Sequence, residues 1–493
     1  MNKPLRSRVT NAAGQPDLSG NRAPIADEID VGQCAVSGTL PDGLRGRFLR
    51  NGPNPMFEPI GRYSVLDGDG MIHMVDIADD ERGGARVSYR NRWIRSAGLL
   101  AELRHGGAIY PGLGDVLNFP DRSLTGNAGP VKNPANTHVI RHANRWLALW
   151  EGGLPTEITA DLDTVGEFDF AGRLRGPMTA HPRLDPRTGE MLMFGYSLFA
   201  PYLTYSVVDP AGTLAHHVEL DLPAPVMIHD MVMTEHHVVF LDSPYVFDVA
   251  NIGKGPMVRW IPERGCRIGV LPRRGAAADV RWFDIEPGYV QHFWSGWDSG
   301  ERGERIEFSG CRYSSPDFGL DNSTPLDEQS ARDLMATPAR FWVDLDTGTA
   351  GWEQTDDLAG DFNRINPAYD GVEVRHLYMS GFTQHDRHLG DFDAIVAYDR
   401  GSGERQVWSA GRHGHVGESV FAPDPTGSAE NDGWLLNIIY DDDRDSSRLV
   451  VLDAHDIAAG PIATVELPRR VPFGFHANWF PANPDRDRDG ANG

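Results

Sequence analysis

The chain has 493 residues, enough for one large domain or several smaller ones, and is rich in turn formers, with 55 glycines and 35 prolines. Long helical patterns are nearly absent, so the composition points to a mostly β protein. A formal net charge of −24 would repel a phosphate backbone, which excludes nucleic acid as an expected partner. Cys34, Cys266 and Cys311 are too few and too scattered for a disulfide framework. The N-terminus has no apolar signal-like stretch, and no run of roughly 18 apolar residues occurs. A soluble, cytoplasmic monomer is therefore expected. Lysine is confined to Lys3, Lys132 and Lys254; the excess of arginine reads as coding bias.

Residues 1–25 are polar and read as a flexible N-terminal tail, with residues 26–493 forming a single catalytic domain. From Asp27 the pattern turns to short strands. LPDGLRGRFLRNGPNP (residues 40–55) is a turn, a strand and a turn; YSVLDGDGMIHMVDI (63–77) is strand, Asp-Gly turn, strand. A unit then recurs: a short strand, an acidic turn with glycine, a second strand. It begins at Val75, Leu184, Val208, Val343, Tyr398 and Val451. Hairpins repeated along the whole chain suggest a radial array of small antiparallel sheets, a β-propeller. A large sandwich is the alternative, since such hairpins also occur there. Two stretches fit no blade. Residues 99–120 are apolar and Gly-rich, and 316–336 read as a loop leading into a short helix. Both suit a cap over one face. The first is either a packed loop or an apolar patch that dips into a lipid surface.

Histidines carry the chemistry. His229 lies inside the apolar run LPAPVMIHDMVM, and an imidazole on a buried strand needs a partner for each nitrogen it removes from water. A metal on one nitrogen and a carboxylate on the other would supply both; a core histidine bonded to backbone is the plain alternative. His181, His292 and His476 stand in similar apolar settings, whereas His216, His217, His236, His237, His413 and His415 lie in polar, turn-like segments and read as solvated. Four such histidines spread over about 300 residues are no zinc finger. They can meet only where distant strands converge, as on a propeller axis.

Six segments, GRFLRNGPNP, DGDGMIH, TAHPRLDP, MIHD, RWFDIEP and the closing FGFH, resemble in order the signatures of the carotenoid cleavage oxygenase family, from about residue 27 onward. The resemblance implies an all-β, seven-bladed β-propeller with a loop and short-helix cap over one face. It implies non-haem Fe(2+) held by His181, His229, His292 and His476, with O2 and a lipophilic polyene as reactants and contact with a membrane surface as an option. Carboxylates that orient the ligands map to Glu151, Glu418 and Asp361, the last in DFNRINP where the family has a longer glutamate. Aspartate would need a small backbone shift, or a water, to reach its histidine. Thr137 matches a threonine that crowds one metal position. Trp150 matches a tunnel aromatic, and Phe293, Trp294, Phe473 and Phe475 flank ligands as further tunnel candidates. After the third histidine the chain has Ser295-Gly296-Trp297-Asp298, and Ala477 follows the fourth; both depart from the family pattern beside the metal.

Cleavage of a carotenoid or apocarotenoid C=C bond into two carbonyls is the expected activity. The branch that acts on phenolic stilbenes has a lysine where this chain has Trp150, and an aromatic wall suits a polyene better. Lys132 nearby keeps stilbenes and phenylpropenes open. A non-catalytic polyene-binding propeller is the alternative from another class, and a secreted sugar-processing propeller a remote one.

Overall fold

Acidic turns close the hairpins as their composition predicts. In the hairpins from Leu184 and Tyr398, the carbonyl of Asp185 accepts from Gly189 N–H at 2.8 Å and that of Asp399 from Gly403 N–H at 2.8 Å. Both glycines have positive φ, 72° and 77°, a conformation that a side chain disfavours. The structure is a computed structural model that describes residues 5–9, 15–61, 63–115, 118–251, 257–315, 335–384 and 391–482. Among these residues lie seven antiparallel sheets of four or more strands, plus a two-stranded ribbon formed by Tyr245–Phe247 and Val258–Trp260. They are the seven blades of a β-propeller. Within a blade the first strand is the innermost and is buried, as at Val232–Met233 and Gly360–Arg364. The last strand alternates between exposed and covered, as in Leu214–Leu220. Apolar side chains fill the space between neighbouring blades; Val232, Phe283, Phe293, Phe308 and Phe341 form one such layer.

The ring closes by combining the two ends of the chain. Strand Gly46–Pro53 pairs on one side with Gly70–Asp79 and on the other with Ala477–Pro481. Phe48 stands opposite both Val75 and Trp479 and is fully buried. The adjoining blade is closed in the same manner, since Ala35–Gly38 pairs with Pro461–Glu466. Closure joins the first and last parts of the chain by main-chain pairing within single blades and fixes the innermost strands around one axis.

The expectation of a flexible tail at 1–25 fails for its described part. Leu18 and Ile25 are buried, Ile25 N–H donates to Asn54 Oδ1 at 2.8 Å, and the Asn21 carbonyl accepts from Phe473 N–H at 2.7 Å. Few apolar residues mark the segment in the sequence, yet Leu18 and Ile25 are covered in the fold. The insertion at 99–120 contributes most of helix Ala97–His105, which Ser96 caps by accepting from Leu99 N–H at 3.2 Å, and a short helix, Arg122–Thr125, follows it. Of the second insertion, residues 316–334 lie outside the described residues.

Because Phe48 sits where the two chain ends meet, Phe48→Ala should destabilise the fold by about 3–5 kcal/mol. Urea unfolding followed by tryptophan fluorescence checks this, and a midpoint equal to that of the unaltered chain would contradict the closure described.

Candidate metal centre

The blades deliver the pieces of the centre from the ends of early strands, one blade supplying both Thr137 and Glu151. His181 lies two residues before Arg183–Leu184, His229 three residues before Val232–Met233, His292 within Tyr289–Ser299, and His476 just before Ala477–Pro481. Asp361 lies in Gly360–Arg364 and Glu418 between Gly414–Val416 and Val420–Pro423. Glu151 follows Arg145–Leu149, and Thr137 precedes His138–His142. All four sequence-predicted ligands meet: one nitrogen from each lies within 4.8 Å of the others. Their ring centroids are 4.3–6.4 Å apart, the His181–His476 pair being the nearest.

Three of the four rings are braced by carboxylates. His292 Nδ1 is 2.7 Å from Asp361 Oδ1, and His476 Nδ1 is 3.0 Å from Glu418 Oε1. His229 Nδ1 is 2.7 Å from Glu151 Oε2, close but off the N–H axis, so the contact is an apposition of charge rather than an aligned hydrogen bond. Asp361 reaches its ring directly despite its shorter side chain. The strand makes room, with a register shift between Asp361 and Arg364 and a positive φ of 57° at Phe362. The carboxylate also accepts from Phe362 N–H at 2.8 Å and from the Tyr313 hydroxyl at 2.6 Å, which leaves it little freedom to turn away. Thr137 is buried beside His476, whose N–H donates to the Thr137 carbonyl at 3.1 Å.

Burial, reinforced by the neighbouring imidazoles, holds His181 and His476 well below the ordinary histidine range, so both are neutral and keep a lone pair. For His229 burial acts in the same direction, but Glu151 outweighs it and the net shift is upward. Nε2 of His181 and of His292 are buried with no protein partner. Orphaned buried nitrogens are costly, about 1–3 kcal/mol each, and a metal ion would satisfy both. An imidazole–metal bond of about 2.1 Å puts opposed donors about 4.2 Å apart, which the observed spacing accommodates. Four neutral nitrogens suit a divalent first-row metal and leave its charge intact.

Sequence reasoning missed the residues that tie the strands together. Arg183 donates to Asp230 Oδ2 at 2.6 Å, to the carbonyls of Met231, Phe293 and Trp294 at 2.9–3.2 Å, and to Asp370 at 3.5 Å, so one guanidinium clamps four blades. His138 is a further buried histidine at the centre, 5.3 Å from His476 between centroids. It is no ligand: its Nδ1 is 2.8 Å from the Ala180 carbonyl and its Nε2 is 2.9 Å from the Asn478 amide. Burial and the adjacent His476 push it down to about 3, so it is a neutral imidazole donating through Nδ1. It thus holds the backbone just ahead of His181, the one ligand without a carboxylate brace. Asn478 in turn accepts from Arg364 at 2.9 Å, and Arg364 lies 3.1 Å from Glu418. The position of His138 directly after Thr137 was the available signal.

Two of the proposed tunnel aromatics belong elsewhere. Phe293 packs against Phe308 between blades, and Trp294 is buried with its indole N–H on the Tyr378 carbonyl at 2.7 Å. Phe293 follows His292 directly on the strand and so faces the opposite side, into the blade; Trp294, two residues on from His292, lies in an irregular stretch where the register shifts on both sides of Phe293. Trp150 lines a cavity of about 720 Å³ with Phe57, Tyr110, Lys132 and Pro134. Phe473 lines a smaller cavity, and Phe475 meets it edge-on at 6.0 Å.

Residues 22–481 match the family described as retinal pigment epithelial membrane protein. The chain is 32% identical to carotenoid 9,10(9′,10′)-cleavage dioxygenase 1 of Arabidopsis thaliana, over 93% of this chain and 89% of that one. Among solved structures it resembles the Pseudomonas brassicacearum lignostilbene dioxygenase, with a TM-score of 0.86, 30% identity and coverage of 95% and 99%. It also resembles a variant of the Synechocystis apocarotenoid oxygenase, with a TM-score of 0.79, 28% identity and coverage of 92% and 96%. With four histidines meeting on the axis of a seven-bladed propeller and a family match over nearly the whole chain, this protein is an enzyme of the carotenoid cleavage oxygenase family.

Proposed function

We propose that the protein is a non-haem Fe(II) dioxygenase that adds O2 across one C=C bond of a carotenoid or apocarotenoid and releases two carbonyl products. The observation that carries this reading is the tetrad of imidazoles, three of them braced by Glu151, Asp361 and Glu418. Bound iron would supply the redox partner that O2 needs to react with a closed-shell alkene. The protein's part is positional. The carboxylates hold the Nδ1 side of three rings, which aims each Nε2 inward. The Thr137 hydroxyl donates to Asn136 Oδ1 at 3.1 Å, so its methyl group is what remains to crowd a metal position.

The large cavity favours a neutral, apolar chain over a phenolate. Trp150 and Phe57 supply flat apolar walls. Lys132 is spent: its ammonium lies 2.5 Å from Asp69 and 2.6 Å from Glu102. Burial works against that charge, but the two carboxylates win and raise the group. A lysine held between two acids, with Asp67 also on the wall, offers a phenolate no net attraction. The likeness to a lignostilbene dioxygenase keeps a second reading, cleavage of a phenolic stilbene or phenylpropene by the same chemistry. A polyene-binding role without turnover is the third. The cap also carries exposed Leu100, Phe119, Leu124 and Val131, and we assign these to shallow contact with a bilayer from which a lipophilic substrate enters. Among the described residues no helix is long and apolar enough to cross a membrane.

Incubation under air with an apocarotenal and, separately, a hydroxystilbene, with products identified by mass spectrometry, tests the assignment. Carbonyl products are expected from the apocarotenal; products from the stilbene alone would overturn the preference. Anaerobically purified protein should contain about one iron per chain, and iron-free protein that binds pigment tightly would favour sequestration. His229→Ala should abolish iron binding, while Asp361→Ala should lower metal affinity or activity about 10–100-fold. Equal and total loss in both variants would show that Asp361 does more than orient His292. Co-sedimentation with neutral phospholipid vesicles should fall in a Phe119→Ser, Leu124→Ser double variant; unchanged binding would remove the cap from the membrane contact.

A further inference from the structure

A second cavity of about 310 Å³ is lined by Asn21, Arg50, Asp391, His415 and Phe473 among others. Phe362 also lines it, with its ring 5.6 Å from His292 and 5.4 Å from His476 between centroids. Arg50 is its dominant feature. This arginine is 6% exposed, its Nε meets no acceptor, and among the described residues no carboxylate lies at ion-pair distance; Glu418 acts on it only from farther off. The nearby acids are already engaged. Asp391 pairs with Arg22 at 3.2 Å, and Glu418 with Arg364 at 3.1 Å and His476 at 3.0 Å. Arg50 is therefore the surplus positive charge at this end of the axis.

The site is built rather than left over. A side chain at position 474 would come within 2.8 Å of Arg50 Nε, so Gly474 is what admits the guanidinium. Two further buried atoms on the same wall are unpaired, Asn21 Oδ1 and His415 Nδ1, the latter 4.0 Å from Asp391. His415 is thus not the solvated residue its polar sequence setting suggests. The Asn21 amide, turned about its last torsion, would present N–H groups to the cavity instead of its oxygen. A buried cation without a partner is among the most expensive arrangements in a protein, and a charge-assisted contact is the direct remedy.

We propose that this cavity is a binding site for one small monovalent anion of halide or formate size, held by Arg50 and the Asn21 amide. Its charge neutralises Arg50 next to Glu418 and so leaves that carboxylate to His476. Occupancy depends on no property of the substrate, so the site stands apart from the assignment of the reaction.

Crystals of the iron-loaded protein soaked in sodium bromide test the proposal. An anomalous peak within contact of the Arg50 guanidinium is expected; water alone there at high bromide would overturn it. In solution, melting temperature should rise saturably with bromide at constant ionic strength, and Arg50→Met should lose that rise while still binding one iron per chain. Equal halide dependence in both proteins would refute the site. Should Arg50→Met fail to fold, Asn21→Leu in the same titration decides, with a weakened bromide response expected and an unchanged one counting against the amide's part.

Discussion

Four imidazoles can share one point only if the strands that carry them cannot drift, and nothing in a short inner strand prevents drift by itself. Arg183 supplies that restraint. Its guanidinium reaches Asp230 and main-chain carbonyls at Met231, Phe293 and Trp294, and so joins the blades that carry His181, His229 and His292. Asp230 accepts in return from the N–H of Phe293 at 2.8 Å. The fourth ligand is held differently, by main-chain pairing of the closing blade: His476 donates to the Thr137 carbonyl and accepts from Asn51 N–H. Ring closure and the buried arginine are two solutions to one problem. The first fixes the ends of the chain, and the second fixes its middle.

Rigidity matters here because a neutral imidazole is a directional ligand. Its lone pair must point within a narrow cone, and the opposite nitrogen decides how the ring is turned. Asp361 shows how much backbone adjustment the fold accepts to satisfy this. A shorter acid is compensated by a bulge and an unusual φ at Phe362, and the carboxylate then works at three contacts simultaneously. His181 has no acid, and its orientation depends on main chain held by His138. The centre thus combines acid-braced rings with one ring braced through the backbone, an asymmetry that places His181 among the residues most sensitive to changes in a neighbouring blade.

The four histidines that converge were legible in the sequence because their physical situation leaves a trace in their neighbours. A histidine among large apolar residues has to account for both nitrogens, whichever fold contains it. Repeated acidic hairpins likewise leave a trace, since Gly189 and Gly403 stand where the turn requires positive φ. What was illegible has the opposite character. Arg183 and His138 act on main-chain atoms of residues far away in the chain, and main-chain carbonyls carry no sequence identity. Phe293 misled because the residue next to a histidine along a strand faces the opposite way, and Trp294 because the strand's register shifts around it. Segment 15–25 looked free because its few anchors find partners only in the folded chain: Asn21 at Phe473, which the last blade brings back, and Ile25 at Asn54.

The charge distribution follows from the same arrangement. The chain is strongly acidic overall, yet arginines gather at its axis: Arg50, Arg183 and Arg364 are all close to the strands that build the centre. Three orienting carboxylates, Glu151, Asp361 and Glu418, are a heavy negative load for a buried site. The Arg364 guanidinium against Glu418 offsets part of that load, and a divalent ion on the histidines would offset more. Arg183 is matched separately by Asp230 and Asp370. Arg50 then remains as the charge that no described residue neutralises. Metal centre, braces and the second cavity are therefore one electrostatic system, in which the occupant of the cavity bears on how firmly Glu418 holds His476.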